Sequence, residues 1–260
     1  MSDDPIVIAT ADSLSAFDAA RVRAIASVDR SGIGTLGEKL VHRTLKLYLE
    51  PREEYHEVAV CGYVADVMNE SGIIEIQTRG FSQMKDKLAR FLDQYSVTLV
   101  YPVIVDKEIL WFDKHSGELA SRRKSSKHAT ARGILSELSG IGELALHDRL
   151  TLKLVFLRAE EYRLLDGGGT DRKDGATKVD IFPTELIGER EIRGVRQLCE
   201  LLPGLPEPFC ASDFYSALHL RGIRASMTLR FARSMGLVRR VGKRGKAYLY
   251  ERCRYTDFEK

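Results

Sequence analysis

The chain has 260 residues, 44% of them hydrophobic and 30% charged, with a formal net charge of +3. That length suits a core of about 150 residues plus a smaller module, and the composition is that of a globular protein rather than a disordered or fibrous one. No apolar run approaches the length needed to cross a bilayer as a helix, and MSDDPIVIATADS lacks the basic-then-apolar order of a secretory signal, so a cytoplasmic protein with no membrane partner is expected. Cys61, Cys199, Cys210 and Cys253 form no C-x-x-C pair, which argues for free thiols over a zinc site or disulfides.

In chain order, residues 1–33 hold a helix over Ser15–Val28 and a glycine-broken stretch, and are expected to be peripheral. A second helix follows, with Thr35 and Glu38 at the spacing of a capping box and apolar residues at Leu36, Leu40, Val41, Leu45 and Tyr48. His42 is read as a surface residue on it. Gly32, Gly34 and Gly37 spell G-x-G-x-x-G, but no βαβ unit surrounds them, and a helix-entry turn accounts for them better. Three β-rich runs come next, YHEVAV, YVADVM and GIIEIQT, then an amphipathic helix with Phe81, Met84, Leu88, Phe91 and Leu92 on one stripe. Two strands, VTLVYPVIV and EILWFD, precede the basic run SRRKSSKH. A helix around Ala131–Leu146 and a strand around Leu150–Leu157 complete the body, and the polar, glycine-rich segment from Asp166 to Lys178 reads as a connector. This order predicts a mixed-sheet, three-layer α/β core over residues 34–193.

Residues 194–260 read differently. A helix at Val195–Leu202, a proline-broken turn, helices starting near Ser212 and Arg224, and the hairpin LVRRVGKRGKAYLYER outline a winged helix-turn-helix. From Ser212 to Lys260 there are twelve Lys+Arg against four Asp+Glu, a net of +8 that leaves −5 for the remainder. That asymmetry points to a polyanion, double-stranded DNA, contacted through the C-terminal module. Arg224, Ser226, Thr228 and Arg230 are the candidates for the major groove, and Lys243, Arg244 and Lys246 for phosphates or the minor groove. Arg123, Lys124 and Lys127 in the body are candidates for holding the DNA backbone, with a plain solvated loop as the alternative.

The chemistry sits in the second hairpin. Pairing YVADVM with GIIEIQT across NESG puts Met68 opposite Ile73 and Asp66 opposite Glu75, with Cβ atoms about 4.5–5.5 Å apart. The period of two places Gln77 on the Glu75 face and leaves Val67, Ile74 and Ile76 on the other. Two carboxylates that close repel unless a cation sits between them. Mg²⁺ or Mn²⁺, which takes one or two carboxylates plus water and phosphate, meets that need and suits phosphodiester hydrolysis. An exposed pair on a solvated sheet face is the alternative.

The order of elements, with Glu38 on the helix, then Asp66, then Glu75-Ile76-Gln77, resembles the PD-(D/E)XK nuclease superfamily. IIEIQTRGF followed by KDKLARFL is similar to a group of bacterial proteins that join this core to a C-terminal winged helix. The resemblance spans roughly Leu36–Leu157 and implies a metal-dependent deoxyribonuclease in which Asp66 and Glu75 bind the ion, Gln77 positions the attacking water and Glu38 assists. Gln77 departs from the pattern, since the superfamily has lysine there. Lys85 or Lys87 on the next helix would restore the missing charge. A DNA-binding regulator that keeps the nuclease fold as a scaffold, or as the dimerisation surface of a homodimer, is the alternative function.

Overall fold

The computed structural model describes residues 6–31, 39–168 and 175–253. The body is built from strands β1 (Val7–Ile8), β2 (His56–Val60), β3 (Tyr63–Asn69), β4 (Gly72–Ile76), β5 (Val97–Asp113), β6 (Leu119–Lys124), β7 (Leu150–Leu165) and β8 (Ala176–Ile192), with helices α1 (Ala11–Ser31), α2 (Leu40–Leu49), α3 (Lys85–Leu92) and α4 (Ile134–Leu138). The strands form one eight-stranded mixed sheet in the order β1-β8-β7-β5-β4-β3-β2. β4, β5 and β7 run parallel to one another, and the remaining pairs are antiparallel. β5 is long enough that one of its edges holds β4 at Val97–Val100 and β6 at Glu108–Phe112. The chain is therefore a mixed α/β protein, as expected.

Helices cover both faces. Phe17 of α1 with Val41 and Leu45 of α2 pack on Ile76, Val100, Val155, Leu157 and Leu186. On the opposite face Leu88, Phe91 and Leu92 of α3 with Ile134, Leu135 and Leu138 of α4 cover Val97, Leu99, Leu152 and Leu154. That second cluster continues without a break into Leu198, Phe209, Phe214, Leu229 and Tyr250. These residues belong to α5 (Gly194–Cys199), β9 (Phe209–Cys210), α6 (Ala211–Ala217), α7 (Gly222–Ser234) and β11 (Ala247–Arg252), and β10 (Val238–Arg244) adds Val238 to the same cluster. β10, β11 and β9 form a second, three-stranded antiparallel sheet beside the helices.

Several expectations are corrected. Residues 1–33 are not peripheral where they are described: Phe17, Ala20 and Ala24 of α1 are buried, and the Phe17 ring meets Tyr48 edge-on at 5.6 Å. Phe17→Ala is accordingly expected to cost about 3–5 kcal/mol in a denaturant unfolding titration, whereas a peripheral side chain would change it by under about 0.5 kcal/mol. The two strands expected after α3 are one, β5, interrupted by a bulge between Ile104 and Asp106. The helix around Ala131–Leu146 is broken into α4 and flanking 3₁₀ turns at Ala131–Gly133 and Gly142–Leu146. The backbone of Ser82 crosses so near that a Cβ on Gly140 would lie 2.6 Å from its nitrogen. The connector ends where β8, unforeseen, begins at Ala176 and runs for 17 residues to Ile192. Three register shifts against β7 break its alternation, and Pro183 sits where β8 lacks β1 as an outer neighbour, the edge position proline tolerates. The T-x-x-E cap with Glu38 and the glycine motif at Gly32–Gly37 lie outside the described residues.

No helix is long and apolar enough to cross a membrane, among the described residues. None of Cys61, Cys199, Cys210 and Cys253 is in a disulfide.

Candidate active site

The β3–β4 hairpin adopts the expected register, with Met68 opposite Ile73 and Val67 opposite Ile74. Its turn is set by Asn69, whose Oδ1 accepts from Ser71 N at 2.9 Å, and by Gly72 at φ +118°. A Cβ at Gly72 would lie 2.4 Å from the Ser96 carbonyl oxygen, so only glycine lets β4 start against β5 here.

Beyond Val67 and Ile74 the backbone ladder between the two strands stops, and side chains replace it. Ile76 N donates to Asp66 Oδ2 at 2.7 Å, and Asp66 N donates to Glu75 Oε1 at 3.1 Å. Each carboxylate thus takes the amide that its partner strand would otherwise leave unpaired. β4 meanwhile stays joined to β5, through Gln77 N and the Val100 carbonyl at 2.9 Å. The strands part, and both acids stand at the fork.

Two basic side chains close on them. Lys87 Nζ of α3 lies 2.6 Å from Glu75 Oε2, and His42 Nε2 of α2 lies 3.1 Å from Asp66 Oδ2. Glu75 is only 4% exposed. Burial first, and the charge of Asp66 second, push its carboxyl up to about 7 against the pull of Lys87. Burial acts in the same sense on Asp66, but the hydrogen bond and charge of His42 and the Ile76 amide outweigh it and hold that carboxyl below its usual range. One carboxylate is therefore firmly ionised while its neighbour titrates near neutrality, so the pair shares its charge unequally.

Asp66, Glu75, Gln77, Lys87, His42 and Lys39 line one cleft of about 440 Å³. The exposed-pair alternative for Asp66 and Glu75 does not hold. Gln77 reaches the cleft, with its Nε2 donating to the Arg79 carbonyl at 2.7 Å. Of the two replacement lysines, Lys87 is at the site. Lys85 is not, since it lines a different cavity with Ile141, Leu144 and Met235. His42 is corrected from a surface residue to a direct partner of Asp66, and Lys39 was not foreseen. Glu38 lies outside the described residues.

The basic residues divide. Lys243, Arg244 and Lys246 at the β10–β11 turn are exposed, as are Ser226 and Arg230 on α7. Thr228 is fully buried, with its hydroxyl donating to the Arg224 carbonyl at 2.8 Å, and is not available to a groove. Arg224 is bound to the body. Its Nε donates to Ser136 Oγ at 3.0 Å and its guanidinium pairs with Glu137 of α4. Residues spaced by two, as these four candidates are, turn about 200° around a helix and cannot share one face. Arg233, Arg239 and Arg240 join Arg230 around a surface cavity, a cluster the sequence reading missed. In the body, strand alternation sends Arg123 and Lys124 to opposite faces. Arg123 and Lys127 line one cavity and Lys124 another, and neither is the Asp66 cleft.

Fold and site together define a mixed α/β protein with a carboxylate–lysine cleft where two strands of its sheet part. Residues 39–193, which contain the cleft, match the family described as "Domain of unknown function (DUF8091)", and the chain belongs to that family. It is also 32% identical over 222 residues, covering 85% of this chain and 87% of its relative, to an "Uncharacterized protein" of Treponema pallidum (strain Nichols). No solved structure matches.

Proposed function

We propose that this chain is a divalent-metal-dependent nuclease with a PD-(D/E)XK-type core, cleaving phosphodiester bonds of double-stranded DNA. The observation that carries this reading is the meeting of Asp66, Glu75 and Lys87 at the strand fork. A lysine from α3 supplies the charge that Gln77 lacks.

Two carboxylates, the kind of oxygen donor a hard dication takes, line one cleft, and the Lys87 ammonium at Glu75 Oε2 marks where positive charge is favoured. Among the described residues no group of three or more His, Cys, Asp or Glu side chains is placed to hold a metal ion, so water and the phosphate would complete the ion's shell. Asp66 and Glu75 would hold Mg²⁺ or Mn²⁺, which when bound supplies an activated water and offsets charge on the phosphoryl group. The chain's own groups do the rest. His42 keeps Asp66 ionised and oriented, Lys87 stabilises negative charge growing beside Glu75, and the Gln77 amide orients the water.

The C-terminal helices and hairpin are read as a winged helix that holds the duplex through its wing and the exposed arginines of α7. Replacing Lys243, Arg244 and Lys246 together by alanine is expected to weaken duplex binding and reduce the slope of log K against log salt by about 2 to 3. The slope is read by titrating binding across a salt series.

A DNA-binding regulator with a silent cleft is the second reading, favoured by the Gln77 amide being turned to the Arg79 carbonyl. The two readings part on one assay. Duplex DNA incubated with Mg²⁺ or Mn²⁺ is cut by the nuclease, whereas the regulator binds it in a salt-sensitive way and leaves it intact under either ion.

A further inference from the structure

A second basic cavity, separate from the cleft, is lined by residues of β5 to β8 and of the segment after β6. We propose that the cavity between β6, β7 and β8 is a binding site for a phosphate group, the one carried by the strand that occupies the neighbouring cleft. It rests on the nuclease reading only for the source of that phosphate.

The cavity, about 400 Å³, is lined by Lys107, Arg123, Lys127, Arg163 and Lys178, with Glu161 the one acidic lining residue among those described. Glu161 is 3% exposed. It pairs with Lys107 and accepts from Arg163 Nε at 2.8 Å, and Lys178 Nζ stands 3.8 Å away. These cations hold its carboxyl below the usual range despite burial. One carboxylate cannot balance five cations. Burial pulls the Lys178 ammonium below its ordinary value; Glu161 and Asp180 oppose that pull, and the charges of Lys107 and Lys39 add to it. A site that crowds like charges in partial burial stabilises an incoming anion.

The geometry favours an oxyanion with several acceptor oxygens. The indole of Trp111 carries both guanidiniums, Arg123 at 5.3 Å and Arg163 at 5.8 Å from the ring centre. Stacking of this kind fixes the planar forks that pair with phosphate oxygens. Lys39 links the two sites. It lines the cleft, and its Nζ donates at 3.4 Å to the carbonyl of Val179, next to Lys178. A strand whose scissile phosphate lay at Asp66 and Glu75 would have Lys39 between it and the cations of this cavity.

The test uses the full chain carrying Asp66→Asn, so that DNA is not consumed, and two readouts. Trp111 is the sole tryptophan of the sequence, so its emission reports inorganic phosphate, and duplex affinity is measured across a salt series. Saturable quenching or enhancement by phosphate is expected. It should weaken about tenfold in Arg123→Gln/Lys127→Gln, whose side chains are exposed, and the duplex salt slope should fall by about 2. Because Arg123 touches the reporter, Lys127→Gln/Lys178→Gln serves as the second variant and is expected to behave alike. Loss of phosphate binding with an unchanged duplex slope would uphold the site and assign it to free phosphate or a nucleotide. No response to phosphate and no change of slope in either variant would overturn it. Cleavage by the unsubstituted chain with Mg²⁺ is scored separately, so a protein that never cuts DNA yet shows these shifts loses the nuclease reading and keeps this site.

Discussion

Mg²⁺- or Mn²⁺-dependent cleavage of duplex DNA is expected to fall at least about 1,000-fold in Asp66→Ala, with duplex affinity within about twofold of the parent. A dication held by two carboxylates contributes several kcal/mol to the transition state, and each 1.36 kcal/mol is a factor of ten. The same substitution removes the acceptor for Ile76 N and the partner of His42. Some loss of stability, about 1–3 kcal/mol, should accompany it. Asp66→Asn keeps an acceptor oxygen at that position and separates the two effects, since it should melt close to the parent while still failing to cut. Parental cleavage rates in Asp66→Asn would remove Asp66 from the chemistry.

The second large effect is on pH. Cleavage by the parent should rise with pH as Glu75 ionises, with a midpoint that a bound dication draws below the metal-free value of about 7. In Lys87→Met the rate is expected to drop about 100-fold and the midpoint to move alkaline. Burial and the charge of Asp66 then act on Glu75 without the opposing ammonium. Stability follows with a definite sign. Glu75 binds its proton more tightly folded than unfolded, so its contribution is complete below its ordinary value of 4.5 and is lost as pH rises through about 7. Asp66 runs the other way: its contribution is present above 3.8 and is lost as pH falls further. Thermal melts between about pH 5 and about pH 8 should therefore decline more steeply in Lys87→Met than in the parent, and Lys87→Arg should restore part of both readouts. An unshifted rate profile with unaltered melts would show that Lys87 does not govern Glu75.

The hairpin that carries the acids was legible because a strand repeats every two residues. NESG fixes the turn, the turn fixes the register, and a slip by one residue would bury Asp66 and Glu75 on the apolar face. The charge asymmetry of the C-terminal module was equally plain, because net charge depends only on composition. By contrast, β8 was hidden by its bulges and Pro183, which erase the alternation that marks a strand. The inward turn of Thr228 was lost when candidates were spaced by two on a helix.

Local rules therefore determined the pairing of Asp66 with Glu75, the place of Gln77 after them and the basic character of the last module. Packing alone decided which distant groups arrive there. Lys85 and Lys87 are two residues apart, and only the seating of α3 on Leu99 and Leu152 sends one to Glu75 and the other to Met235. His42 meets Asp66 because α2 lies across the opposite face and its polar edge reaches the fork. Sequence spacing measures position along one element, while these contacts depend on the angle and distance between elements, which are set by the burial of apolar surface over the whole core.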